Sequence, residues 1–135
     1  MTTTEALPSA VLVHLADALS VPDGGFSVSP ASWKDVRAGF AVSVCPHLEQ
    51  QLSGSVTHED IERYVSRHAA VLTRPDILLG GWQNPENGLA YLDVSVALRS
   101  QRRAVALARK HNQLAIWDFT KGETIPIFNS KRGVS

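Results

Sequence analysis

The segment Ile77-Leu78-Leu79-Gly80-Gly81-Trp82-Gln83-Asn84-Pro85-Glu86-Asn87-Gly88-Leu89-Ala90-Tyr91-Leu92-Asp93-Val94-Ser95-Val96 decides the fold. Two apolar runs, 77–82 and 89–96, flank the turn stretch 84–88, which ends in Asn-Gly. Such a stretch between hydrophobic runs predicts a β-hairpin. The second run has a period of two, with Leu92, Val94 and Val96 on one face and Tyr91, Asp93 and Ser95 on the other.

Downstream, Ser100 is placed to cap a helix running to about His111. Ala104, Leu107 and Ala108 give that helix a narrow inner face of small residues, suited to lying close on a sheet. Arg109, Lys110 and His111 fall at its C-terminus, where the helix dipole favours cations. Residues 113–118 alternate again, Leu114 and Ile116 against Ala115 and Trp117. A turn at 121–123 leads to a last strand, 124–128, which Pro126 confines to a sheet edge.

Upstream, Phe40, Val42 and Val44 alternate with Ala41, Ser43 and Cys45 as a strand that Pro46 ends. Thr57 and Asp60 form a capping-box pattern for a helix whose apolar face is Ile61, Tyr64, Val65, His68 and Leu72. Pro75 closes that helix at Arg74. Residues 7–19 predict a first helix, with Pro8 in its first turn and Val11, Leu12, Leu15 and Leu19 in one stripe. Pro22-Asp23-Gly24-Gly25 stops it. Residues 26–38 are ambiguous: Phe26 and Val28 suit a short edge strand, and 29–33 a loop anchored by Trp33.

This order predicts an α+β fold, about three helices packed on one face of a mostly antiparallel sheet of four to six strands. The expected organisation is one domain, 1–128, with its first helix at 7–19 and its core at 39–127. A flexible polar tail, 129–135, follows.

A chain of 135 residues, 44% hydrophobic and 19% charged, is large enough for one core and too apolar for a disordered chain. The longest apolar stretch, near 10–16, is interrupted by His14, so no membrane span is expected. The N-terminus lacks the basic region of a secretory signal. A single cysteine, Cys45, excludes an internal disulfide and fits the cytoplasm. Net charge is zero, but residues 1–70 carry four Lys/Arg against eight Asp/Glu, and residues 71–135 nine against five.

Gly80-Gly81-Trp82, Tyr91-Leu92-Asp93-Val94-Ser95, Asn112-Gln113 with Ala115-Ile116-Trp117-Asp118, and then Gly122 and Ile125 make up a longer pattern. Gly39-Phe40-Ala41-Val42-Ser43 and Asp60-Ile61 with Tyr64 extend it upstream. Over 39–127 the chain resembles a group of small proteins of actinobacteria and their phages and plasmids. The resemblance implies a mobile-element origin. The group has no assigned activity, so no catalytic or binding residue is carried over.

Asp93 is the carboxylate of greatest interest. Mid-strand between apolar residues, it is either on a solvated face, an anchor for a neighbouring loop, or a general base or ligand contact in a sheet-face cleft. Asn112 suits the left-handed residue closing a helix, with base or peptide recognition by Asn112-Gln113 as the alternative. Cys45 and His47, separated by Pro46, read as a core thiol and its neighbour rather than a catalytic pair. The five histidines have no metal-type spacing, and no metal or cofactor is expected. Gly80-Gly81 belongs to no phosphate-binding pattern and reads as a site of close packing or a bulge.

The leading expectation is a non-catalytic protein-binding or regulatory module, a mobile-element factor acting on a host protein. Its contacts would be Trp82, Tyr91, Trp117, Ile125 and Ile127, and its partner an unidentified protein or a second copy through the 124–128 edge. One alternative is a nucleic-acid-associated protein using Arg99, Arg102, Arg103, Arg109 and Lys110. The other is a small enzyme with Asp93 as acid or base, which requires Asp93 to lie in a concavity beside a second titratable group.

Overall fold

The computed structural model describes residues 7–128. The hairpin at its centre is β5 (Ile77–Gln83) and β6 (Ala90–Leu98), paired antiparallel in unbroken register from Ile77 opposite Val96 to Gln83 opposite Ala90. Around it lie α1 (Ser9–Ala18), β1 (Gly25–Ser29), β2 (Lys34–Asp35), β3 (Phe40–Ser43), β4 (Gln50–Leu52), α2 (His58–Arg67), α3 (Ala69–Leu72), α4 (Gln101–Lys110), β7 (Ala115–Asp118) and β8 (Glu123–Pro126). Every pairing is antiparallel, in the order β2-β1-β5-β6-β3-β7-β8, with β4 also on β6.

Strand β6 is long enough to take two partners on one edge. Residues 90–92 pair with β4 and residues 95–98 with β3, leaving Asp93 and Val94 between the two ladders. The chain crosses this gap through a 3₁₀ turn, Pro46–Leu48. Tyr64, 1% exposed, closes it from the core side by donating its hydroxyl to the Leu48 carbonyl at 2.7 Å.

The helices cover one face. Leu12, Leu15 and Leu19 of the first helical segment meet Ile61, Tyr64 and Leu72 over Val28, Leu79, Leu92 and Val94. A second cluster sets Ala104 and Ala108 of α4 on Val42 and Ile116, with Phe40, Leu98, Ile125 and Ile127 at its rim. Both alanines are fully buried, so the helix backbone lies close on the sheet.

Local signals behave as their chemistry dictates. Thr57 Oγ1 accepts from the Asp60 N–H, and Asp60 accepts from the Thr57 N–H, forming the reciprocal capping box. Ser100 Oγ accepts from the Arg103 N–H and starts α4. Asn112 ends it at φ 56°, the left-handed conformation that asparagine tolerates. Pro126 lies on the edge strand β8.

Several expectations are corrected. Among the described residues the sheet has eight strands rather than four to six, because β2 and β4 are too short to show a period. Four α-helices replace about three, since the helix beginning after Thr57 breaks at His68 into α2 and α3. Strand β1 is interior, between β2 and β5, not an edge. Pro8 caps α1 from outside its first turn, at ψ 147°. Gly80-Gly81 causes no bulge, since the register runs through both. The 129–135 tail lies outside the described residues.

Candidate functional site

Among the described residues no helix covers the opposite face of the sheet. Registered pairing sorts its residues into rows. One row holds Trp82 opposite Tyr91, the next Ser27, Gly80 and Asp93, the next Leu78 and Ser95, and the last Ala41, Trp117 and Thr124. Large rings thus stand at two ends, and small side chains occupy the middle. The result is a groove of about 820 Å³ bordered by these residues. Tyr91 and Ala97 on β6 are six positions apart, so the groove runs for roughly 20 Å, the span of about six extended residues.

The first wall is stacked. Trp82 and Tyr91 rings lie 6.0 Å apart at 27°. Trp82 Nε1 donates to Asp23 Oδ1 at 2.7 Å, and Asn87 Nδ2 donates to the Tyr91 hydroxyl at 2.8 Å. Each polar tip is held, leaving the ring surfaces as the contact area. Trp82 is 43% and Trp117 40% exposed, while Leu78 on the floor is 3% exposed.

Asp93 lies over Gly80. A Cβ built on Gly80 would come within 2.3 Å of Asp93 Oδ1, so a side chain there would collide with the carboxylate. Gly80 is therefore needed for room, not for backbone conformation. Among the described residues no hydrogen bond or ion pair engages the Asp93 carboxylate. Burial, and then the nearby charge of Glu49, push Asp93 above the ordinary carboxylate range. Glu49 immediately precedes β4 and borders the same groove. Burial, followed by the charge of Asp93, likewise raises the Tyr64 phenol.

The structure therefore brings together Asp93, Trp82, Tyr91 and Trp117, which the sequence nominated for two different functions. It does not bring Ile125 and Ile127 to them, for both pack at the rim of the α4 cluster on the helical face. Arg99 precedes α4, and Arg102, Arg103, Arg109 and Lys110 lie exposed along its outer side, opposite Ala104 and Ala108. Arg109 also donates to the Phe128 carbonyl at 3.1 Å.

Sequence reasoning missed Glu49 and the role of Gly80. Glu49 sits in an irregular connection with no period to place it. The signal for Gly80 was present, a glycine within a run of strand-forming residues, but its partner appears only once the register is known.

The other nominated groups sit apart from the groove. His68 packs edge-on against Tyr64, with ring centroids 4.5 Å apart. Burial, then Arg67 and His47, lower its pKa. Cys45 is a partly buried free thiol. Among the described residues no cluster of three or more His, Cys, Asp or Glu is arranged to hold a metal ion. No helix there is long and apolar enough to cross a membrane.

Compared with known proteins, the chain matches no family model, no curated protein and no solved structure.

Proposed function

We propose that this chain is a non-catalytic binding module of the cytoplasm that takes an extended segment of a partner protein into the uncovered groove. The observation that carries this reading is the gathering of Trp82, Tyr91 and Trp117 on a concave face that no helix covers. Tryptophan and tyrosine supply large contact area at low entropic cost and dominate interface energies. A groove of roughly 20 Å suits a strand-like peptide of about six residues. A mobile-element factor acting on a host protein is the biological setting that the sequence resemblance implies.

The test is affinity capture from host lysate with tagged wild-type protein, a Trp117→Ala/Tyr91→Ala variant, and an Arg102→Ala/Arg103→Ala variant, each with and without nuclease. A stoichiometric protein that survives nuclease, is lost with the groove variant and is kept by the arginine variant supports the reading. Loss on nuclease treatment, or with the arginine variant alone, replaces it with nucleic-acid binding through α4, whose salt dependence would be steep.

One observation favours a second reading. Asp93 meets the geometric condition set for a catalytic acid or base, a concave site beside a second carboxylate, Glu49. Two carboxylates bordering one groove beside aromatic platforms suit acid–base cleavage of a glycoside. Turnover of model oligosaccharides that is lost in Asp93→Asn would establish it; no turnover at any pH from 4 to 8 would remove it.

A further inference from the structure

The groove carries charge of one sign. Its acidic lining groups are Asp23, Glu49 and Asp93, and among the described residues no lysine, arginine or histidine borders it. Yet the chain as a whole is neutral, with 13 basic and 13 acidic residues. The cations lie elsewhere, including the outer side of α4. Asp23 is occupied by the Trp82 indole, so the free acceptors are Glu49 at the rim and Asp93 on the floor.

Resting on the binding-module reading, we infer that the groove recognises an arginine side chain of the partner segment, its guanidinium seated on Asp93 and its plane against the Trp82–Tyr91 stack. Three features select arginine. The Asp93 carboxylate has no partner of its own among the described residues. The absence of a side chain at Gly80 gives that carboxylate room to lie along the groove floor. The stacked rings beside it, 6.0 Å apart, offer a flat apolar face. A guanidinium satisfies all three, because it is planar, stacks on aromatic faces and pairs with a carboxylate through two N–H donors. A lysine ammonium satisfies the charge alone. Burial and the charge of Glu49 raise the Asp93 pKa, and a bound cation opposes that shift, so binding favours the ionised carboxylate and affinity falls as the solution is acidified.

The experiment is an NMR titration of the full ¹⁵N-labelled chain with acetyl-Gly-Gly-Arg-Gly-Gly-amide, and with the same peptide carrying citrulline or lysine in place of arginine. Peptide is added to about 10 mM, enough to fill roughly nine-tenths of a 1 mM site. The expected result is movement of the Trp82 indole and the Gly80, Asp93 and Ser95 amide signals with the arginine peptide. Affinity should be about tenfold lower for lysine, and binding should be lost with citrulline. Asp93→Asn, a neutral isostere, should keep the rest of the spectrum and abolish the effect. Equal shifts from the arginine and citrulline peptides would overturn the cation and leave the groove standing as a peptide site. Absence of groove shifts with every peptide would overturn the arginine inference, and the binding-module reading then stands or falls on the Trp117→Ala/Tyr91→Ala capture. Arginine binding undiminished in Asp93→Asn would also overturn it.

Discussion

Replacing Gly80 with alanine tests the site at its narrowest point. The new Cβ would stand 2.3 Å from Asp93 Oδ1, against the 3.4 Å at which contacts become ordinary. The backbone is not at issue, since Gly80 is not among the residues at positive φ. The carboxylate must therefore retreat by roughly 1 Å, away from the floor and toward water. Alanine in place of a strand glycine stabilises by about 0.5–1 kcal/mol. Driving Asp93 off its rotamer costs about 0.5–1.5 kcal/mol. The single variant should thus stay within about 1 kcal/mol of wild type, whereas in an Asp93→Ala background the alanine gain appears in full. The coupling between the two sites should be about 1 kcal/mol, well above the few tenths expected of independent positions. The pH dependence follows from the direction of the Asp93 shift. Its folded pKa is raised, so between the ordinary carboxylate range and that raised value the folded chain holds a proton that the unfolded chain has lost. Stability therefore falls as pH rises through this window and is lowest above it. Moving the carboxylate into water should flatten that slope. The neighbouring glycine is the control. A Cβ on Gly81 would strike the Phe26 ring at 2.5 Å, on the core side, so Gly81→Ala should cost about 1–3 kcal/mol and leave the pH slope intact. Urea unfolding at several pH values and carboxyl ¹³C titration of Asp93 read both quantities. If Asp93 titrates at the same pH in Gly80→Ala as in wild type, the account of the groove floor is wrong.

Other substitutions probe the scaffold. Tyr64→Phe removes the bond to the Leu48 carbonyl that closes the gap in β6's edge, and should cost about 1–2 kcal/mol in chemical denaturation. Ser100→Ala removes the cap of α4 and should cost about 1 kcal/mol by the same measurement. Ala108→Leu enlarges a residue with no exposed surface between α4 and the sheet, and should lower stability by about 1–3 kcal/mol without touching the groove. Trp117→Ala removes a ring that is 40% exposed, so thermal unfolding should shift less than for a core deletion while partner binding is lost.

What the sequence revealed followed from period and punctuation. The Asn-Gly turn, the alternation along β6 and the Thr57–Asp60 box each rest on interactions within a few residues, and each appears as expected. That Tyr91, Asp93 and Ser95 share a face was legible for the same reason. What lay hidden depends on contacts far apart in the chain. Strands β2 and β4 are two and three residues long, below the length at which alternation declares itself, and exist because β1 and β6 offer them an edge. The placing of Trp117 on the same groove as Trp82 requires β3 to lie between β6 and β7, an order no local pattern encodes. Ile125 and Ile127 were nominated from an exposed edge, but their side chains turn to α4, because the alternation that puts Thr124 in the groove puts its neighbour on the other face.

The division between the two faces argues that the open one is meant to be occupied. Among the described residues every α-helix lies on the same side, and the core beneath them is filled chiefly by aliphatic residues. Two of the three tryptophans are placed instead on the side that the described residues leave bare, 43% and 40% exposed. With a ring system of roughly 200 Å², each leaves apolar area in water whose burial would contribute about 2 kcal/mol. Beside them an unpaired carboxylate is held partly out of water, against its own solvation. Neither arrangement favours the isolated fold, and both serve a bound state that covers the rings and neutralises the charge. A ligand that did only one of these would leave the other cost in place. The partner is therefore expected to bring an apolar surface and a cation on the same short segment.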